Sequence, residues 1–559
     1  MYDVGIGSWP VRRARMTPDK VAVVDRGVST RYAELAASTT RLAHGLLALG
    51  VRRGDRVAYL GYNATTSVET MFATAKAGAV FIPLNTRLVP PEWAYILVDS
   101  GTSVLVWDEP FGDRVDEVLD GIALTAVPPR VPAPPPMPGL RDLVGGGRGP
   151  LGMMPPPPEP WAPPARAEVT APIPPPGPRP VAVHSADGQM SLDEVRAMGS
   201  DDPLDLQIGL DDLYMIQYTS GTTGQPKGVM MSHGNVTWNT TNSLVDVDLD
   251  GNEVSLIVAP MFHAAALNQQ FMPTFIKGGT QYLEQTWDVD KAFTMFEEHG
   301  ITFFWGPPTM YLNLIQSPRW ESADLSSLRN FQCGGAPLPE AMLQQFADRG
   351  FGILQGYGLT EASPGTTMLR ARDSLSRIGS AGTSCFFTDV RVVDDDGQPV
   401  AEGETGEIQI QGFNVTKGYW GKPQATKDAI LPGGWLRTGD LARVEEGGFL
   451  YIVDRLKDMI ISGAENIYPA EIEAQIYTHP AVADCAVIGV PNERWGEVGR
   501  AVVVLRPDRT ATEAEIIEHL QGRLARYKIP KSVVFTDALP HNASGKLLKV
   551  QIRERFGEG

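Results

Sequence analysis

What this chain lacks narrows its class before any motif is read. Its 559 residues hold three cysteines, Cys333, Cys385 and Cys485, far apart and in no C-x-x-C arrangement. That excludes a disulfide framework or a cysteine zinc site and fits a reducing compartment. No H-E-x-x-H or paired-histidine motif offers a catalytic metal site. No apolar run reaches membrane-spanning length, and the opening "MYDVGIGSWPVRRARM" lacks the apolar core of a secretory signal. The expectation is a cytoplasmic protein with no integral membrane segment. Positive charge is also short, with 48 Lys and Arg against 66 Asp and Glu, a net of −18. That balance argues against nucleic acid or an anionic membrane as the partner. Any anion site has to gather its cations locally.

What is present is an ordinary globular composition, 43% hydrophobic and 20% charged. The length exceeds what one core supports, so two or more domains are expected. In "RYAELAASTTRLAHGLLALGV" the apolar residues Leu35, Ala36, Leu42, Leu46 and Leu49 recur at helical spacing and stop at Gly50. "DRVAYL" and "AVFIPL" read as short strands, and strand–helix–strand alternation implies a parallel sheet covered by helices. Between Val127 and Pro180 stand 21 of the 46 prolines. A stretch so poor in donors and apolar periodicity reads as an extended, disordered surface insertion at 127–180. A bland spacer is favoured there over a docking arm for an unidentified partner. The alternation resumes at Leu213. "RVVDDDGQPVAEGETGEIQIQG" and "GWLRTGDLARVEEGGFLYIVDR" read as antiparallel strands. Beyond "DRLKD" a compact α/β segment carries a helix at "PAEIEAQIYTH" and strands at "CAVIGVP" and "AVVVLRP".

The densest chemistry lies in "QYTSGTTGQPKGVMMSH", residues 217–233. Glycines let backbone N–H groups approach anionic oxygens, Ser and Thr hydroxyls donate, and a lysine neutralises charge. A Walker loop needs Lys directly after Gly and a helix directly after the loop. Here Lys227 follows Pro226, "KGVMMS" reads as a strand, and "HGNV" is the better helix start. The pattern is strand–loop–strand, so the Walker reading fails. Taken alone, the loop could equally be a solvated turn; the other motifs decide.

"YTSGTTGQPKGV" resembles the signature loop of the adenylate-forming enzymes, which include acyl-CoA ligases, luciferases and peptide-synthetase adenylation domains. "QGYGLTE", "LRTGD", "DRLKDMIISGAEN" and "PHNASGK" resemble the family's other motifs, in family order. The resemblance spans nearly the whole chain apart from the Pro-rich insertion. It is nearest to bacterial fatty-acid–CoA ligases, notably in "DRLKDMIISGAENIYPAEIE" and "RLARYKIPK". It implies an α/β fold: a large N-terminal domain of α/β subdomains plus a β-rich portion (1–456), and a small mobile α+β C-terminal domain (457–559). It also implies a two-step reaction. A carboxylate attacks the α-phosphate of ATP, giving acyl-adenylate and pyrophosphate; a thiol then takes the acyl group and expels AMP.

Site residues follow from the resemblance motif by motif. Thr219, Ser220, Gly221, Thr222, Thr223, Gly224 and Lys227 would hold the β- and γ-phosphates of ATP. Thr360 would bind phosphate and Glu361 would hold Mg²⁺. Tyr357, beside Gly358, matches the aromatic that stacks on adenine, with the backbone of Gly334, Gly335 and Ala336 on the other face. Asp440 matches the carboxylate on the ribose hydroxyls, assisted by Arg455. Lys546 matches the lysine that bridges carboxylate and α-phosphate, and Lys457 the hinge between domain orientations. Ser462, Gly463 and Ala464 would border the pantetheine channel, where Ala464 departs from the glycine many relatives carry. A lone Glu or Lys is usually solvated surface, and an acid ending "TGD" is often just a turn; only their joint occurrence raises these assignments.

From Gln521 to Gly559 eight Lys and Arg face three acids. A basic surface including Arg526, Lys528 and Lys531 is therefore expected to meet coenzyme A, a polyanion. No carrier-protein domain follows, which weakens a peptide-synthetase reading. In "APMFHAAALN", His263 resembles the residue at the carboxylate end of the acyl site, against the alternative of a satisfied core histidine. "FFWGPPTM" and "CGGAPLP" would wall the acyl pocket through Trp305, Gly306 and Gly334. Neither supplies a charge, so an uncharged acid is favoured. The expected substrate is a medium- or long-chain fatty acid. Trp305 could shorten the tunnel, which keeps an aryl-CoA ligase as the alternative. An acyl-AMP ligase that loads a carrier protein is a further alternative, and a non-catalytic scaffold docking through the Pro-rich segment is the remote one. Oligomeric state is left open.

The lysine assignment separates the half-reactions. Lys546→Ala is expected to lower adenylation, read by pyrophosphate exchange into ATP, by about 10²–10³-fold. Thioester formation from supplied acyl-adenylate should be largely spared. Loss of both would assign the lysine to folding or closure.

Overall fold

The computed structural model describes residues 3–123, 181–183, 190–219, 226–335, 338–456, 458–462, 465–492, 495–541 and 547–557. Among these residues the strands form four sheets. The Pro-rich stretch lies outside the described residues; the strand Val181–Val183 follows it directly, at one edge of a six-stranded sheet. Inward from that edge come Thr102–Trp107, Arg56–Leu60, Val80–Pro83 and Leu213–Thr219, all parallel, then Lys227–Ser232, antiparallel. The expected helix is present as Tyr32–Ala48, and Gly50 behind it has φ of 89°.

A nine-stranded sheet is parallel in its middle, through Ile353–Gly358, Asn330–Gly334, Phe303–Gly306, Val254–Ile257, Thr280–Leu283 and Val21–Asp25. Antiparallel strands close both of its edges. The two turn-rich stretches form a four-stranded antiparallel sheet of Thr388–Val393, Thr405–Gly412, Leu436–Glu445 and Phe449–Arg455. The last sheet is built from Glu465–Ile467, Ile460–Ser462, Gly496–Leu505, Val482–Asn492 and Ser532–Phe535. It carries the helix Pro469–Ile476 on a core of Ile460, Ile472, Ile476, Val487 and Val503. This is the expected architecture, a large α/β part with a β-rich portion and a smaller α+β part.

The strand–loop–strand reading holds. Leu213–Thr219 and Lys227–Ser232 form an antiparallel pair in which Thr219 stands opposite Lys227. The helix His233–Asp246 starts directly after, with Ser232 and Asn235 forming a reciprocal capping box (3.0 and 2.8 Å). His233 is buried; its Nδ1 accepts from the Ile6 N–H at 3.0 Å, and burial lowers its pKa to about 4.

Asparagines on this helix tie the sheets together. Asn235 Nδ2 donates to the carbonyls of Phe413 and Val415, both at 2.7 Å. Asn239 Oδ1 accepts from the Gly365 N–H at 2.8 Å. Asn414, fully buried, donates to the carbonyls of Ala362 (2.9 Å) and Gly365 (2.7 Å). Asn239 and Asn414 thus satisfy backbone groups at Ala362 and Gly365, and Asn235 those at Phe413 and Val415. Asn414→Ala leaves two buried carbonyls unpaired and is expected to destabilise by about 3 kcal/mol. Chemical denaturation should show a clearly lowered midpoint; a midpoint within error of the parent would mean that the amide holds nothing.

Candidate active site

Two clusters form on the elements just described. In the first, the segment 416–420 runs along the Lys227–Ser232 strand. Met230 N–H donates to Gly418 O (2.9 Å), Lys417 N–H to Met230 O (3.1 Å) and Trp420 N–H to Gly228 O (2.7 Å). The same segment reaches the short helical turn Thr360–Ala362, since Thr416 N–H donates to Glu361 O at 2.7 Å. Tyr419 is thereby set between the two. Its ring lies under the Lys227 ammonium, 5.2 Å from Nζ to centroid, and its hydroxyl donates to Glu361 Oε1 at 2.8 Å. Burial, then the adjacent carboxylate, pushes the Tyr419 hydroxyl pKa up, so it stays a donor.

In the second cluster, Tyr357 donates its hydroxyl to Asp440 Oδ2 at 2.7 Å, and Arg455 Nε meets Asp440 Oδ1 at 3.1 Å. Asp440 and Arg455 are opposed on neighbouring strands, and Asp440 is 5% exposed. Burial together with Asp440 pushes the Tyr357 phenol well above its ordinary value. Glu361 follows Tyr357 by four residues, so both clusters flank one end of the Ile353–Gly358 strand. Gly334 is opposed to Gly356 on that strand, and Gly335 has φ of 92°, which only glycine adopts freely. A Cβ on Gly358 would collide with Pro364 O.

His263 keeps Nε2 buried without a hydrogen-bond partner among the described residues. Burial, with a smaller push from Arg87, lowers its pKa to about 4, so the ring is neutral at pH 7. Trp305 is buried with its indole against Gly334; a Cβ there would stand 3.4 Å from Trp305 Cζ2. Gly306 ends the same strand and faces Met310 and Phe304 instead.

Among the coenzyme A candidates, Arg526 and Lys531 are exposed, whereas Lys528 is paired with Glu471 at 2.7 Å. Lys549 pairs with Glu473 and Arg553 with Asp458, both at 2.8 Å. The fold thus offsets part of the basic surplus counted from composition. Ser462 ends the strand Ile460–Ser462. Ser220, Gly221, Thr222, Thr223, Gly224, Ala336, Lys457, Gly463, Ala464 and Lys546 lie outside the described residues.

Tyr419 was missed in the sequence. It carries no charge and stands in "KGYWG", well away from the motifs; its one signal is an aromatic pair in a glycine-flanked, non-periodic stretch. Among the described residues no group of three or more His, Cys, Asp or Glu side chains is arranged to hold a metal, and no helix is long and apolar enough to cross a membrane. Glu361 offers one carboxylate. That fits Mg²⁺, which binds through one or two carboxylates plus substrate phosphates rather than in an all-protein cage.

A lysine on the Lys227–Ser232 strand, one metal-type carboxylate and a Tyr–Asp–Arg set, gathered at one end of the Ile353–Gly358 strand, suit an adenylate-forming enzyme. The chain belongs to the AMP-binding enzymes, whose family model matches residues 11–420, with the AMP-binding enzyme C-terminal domain at 471–546. It is 46% identical to a feruloyl-CoA synthase of an Amycolatopsis species, over the full length of both chains. It is 37% identical to the long-chain-fatty-acid–CoA ligase FadD13 of Mycobacterium tuberculosis, over 98% of each. The structure resembles the o-succinylbenzoate coenzyme A synthetase of Bacillus subtilis solved with ATP and magnesium ion: 29% identity, TM-score 0.80, covering 98% of this chain and 99% of that one. The chain is accordingly an acid–thiol ligase of the AMP-forming type.

The spacer role of Tyr419 can be read directly. Tyr419→Phe should raise the Mg²⁺ concentration needed for half-maximal adenylation by about tenfold while changing little with saturating metal. Tyr419→Leu, which also removes the ring under Lys227, should additionally raise the KM for ATP. Equal loss in both variants at saturating metal would mark the tyrosine as packing alone.

Proposed function

We propose that this chain converts an aromatic carboxylic acid of the arylpropenoate kind to its coenzyme A thioester, with ATP as the activating co-substrate. The observation that carries the reading is the buried Trp305, whose indole would stand 3.4 Å from a Cβ on Gly334; in this reading it gives the acyl site a flat aromatic wall. The higher identity to a feruloyl-CoA synthase than to a fatty-acid ligase supports it. It replaces the fatty acid expected from the sequence.

In the first half-reaction a carboxylate oxygen bonds to the α-phosphorus and the bond to the pyrophosphate oxygen breaks. An anion approaches a polyanion, so neutralisation and alignment dominate the barrier. Lys227 moves from the Tyr419 ring to the phosphates; Thr219, Ser220, Thr222, Thr223 and Thr360 donate hydroxyls. When bound, Mg²⁺ supplies charge neutralisation at the phosphates, and Glu361 is the residue that would hold it. Asp440, fixed by Tyr357 and Arg455, accepts from the ribose hydroxyls, and Tyr357 presents its ring face to adenine. Neutral His263 can donate a hydrogen bond near the substrate carboxylate without forming an ion pair that would hold it back from attack. Lys546 bridges the reacting groups.

In the second half-reaction the thiol sulfur bonds to the acyl carbon and AMP leaves. The residues from 457 onward form the part that turns, about Lys457, between the two steps. Ser462, Gly463 and Ala464 then border the pantetheine path, with exposed Arg526 and Lys531 toward the nucleotide end of coenzyme A.

A panel of acids, assayed for coenzyme A-dependent AMP release, tests the reading. Ferulate should exceed dodecanoate and hexadecanoate in kcat/KM by about tenfold or more. A fatty acid that outperforms every aromatic acid would restore the fatty-acyl reading.

A further inference from the structure

The acyl wall contains a polar group that the reaction does not use. Strand pairing sets Trp305 opposite Gln332, Gly334 opposite Gly356 and Gly356 opposite Met368. Register partners in a sheet point to one face, as do residues two apart on a strand. Trp305, Gln332, Gly334, Gly356 and Met368 therefore share a face. A Cβ on Gly334 would approach nothing nearer than 3.4 Å, and one on Gly356 would meet Met368 Cε at 3.6 Å. The two glycines leave a recess that such atoms would fill, bounded by the Trp305 indole and Met368.

Gln332 stands on this face at 1% exposure. Its Nε2 reaches the Met368 sulfur at 3.8 Å, a weak acceptor, and its Oε1 has no hydrogen-bond partner among the described residues. Buried amide oxygens are almost always paired, so this one calls for a donor.

We propose that the recess takes the ring of the acid and that Gln332 is its specificity-determining residue, accepting a hydrogen bond from a phenolic hydroxyl on that ring. A phenol both donates and accepts and so matches either orientation of the amide; an alkyl chain does neither. The inference rests on the aryl-acid reading and adds the ring substituent to it.

The test uses the full-length enzyme with saturating ATP, magnesium and coenzyme A. It compares cinnamate with 2-, 3- and 4-hydroxycinnamate in the parent, in Gln332→Leu and, should that variant fold poorly, in Gln332→Met. One hydroxylated acid should exceed cinnamate in kcat/KM by about tenfold or more in the parent, and the preference should fall to within about threefold of parity on substitution, the loss falling on the hydroxylated acid. A preference that survives substitution, or a loss shared equally by both acids, overturns the assignment of Gln332. A parent enzyme that uses cinnamate and its hydroxylated forms equally overturns this inference alone. One that uses fatty acids and no cinnamate overturns the aryl-acid reading beneath it.

Discussion

A polyanion bound by a chain of net charge −18 requires a cation and a metal-binding carboxylate in the same cleft, kept apart until the nucleotide arrives. Left to themselves, a lysine and a glutamate at the edge of a protein attract by roughly 4 kcal/mol at 4 Å. In the proposed mechanism, a direct pair between Lys227 and Glu361 would occupy both groups meant for the phosphates and their metal. Tyr419 instead meets each charge with a different part of one side chain. The ring face takes the ammonium, a contact of about 0.5–1 kcal/mol that is easily surrendered, and the hydroxyl fixes one carboxylate oxygen. The strapping of 416–420 along the Lys227 strand and the Thr416 bond to Glu361 serve to hold that one ring in place.

The second cluster works differently because it joins separate sheets. Tyr357 ends a strand of the nine-stranded sheet, whereas Asp440 and Arg455 belong to the four-stranded one. The asparagine set at Asn235, Asn239 and Asn414 fixes the same two sheets relative to the helix behind the phosphate loop. Backbone groups at Ala362 and Gly365, just beyond Thr360 and Glu361, are thereby paired with side-chain amides.

What could be read from the sequence was whatever depends on neighbours along the chain. The helical spacing of Leu35 to Leu49, the strand–loop–strand form around Lys227 and the antiparallel runs before Arg455 are local patterns, and the structure has them. The motif residues Lys227, Glu361, Tyr357, Asp440 and Arg455 were likewise visible as a set. The links between them were not. Tyr419 stands 58 residues from the carboxylate it holds and the Asn414 amide 52 from the carbonyl it caps, distances at which no periodicity carries information. The basic C-terminal surplus was likewise counted without its partners, because Glu471 and Asp458, which pair with Lys528 and Arg553, lie outside the segment counted.

In the proposed reading the choice between an aryl and a fatty substrate also turns on a non-local feature, the pairing that brings Gln332 beside two glycines and an indole. Apolar contact alone separates such acids poorly, because each methylene contributes little and an alkyl chain can coil against Trp305. An unmet buried amide separates them better. The Gln332 oxygen is already buried and unpaired among the described residues; an alkyl chain leaves that cost of about 1–3 kcal/mol standing, whereas a ring hydroxyl in the proposed recess would relieve it. Selectivity would then come from the pairing that the right acid adds to an amide already buried without it, so one glutamine among apolar neighbours would be enough to set it.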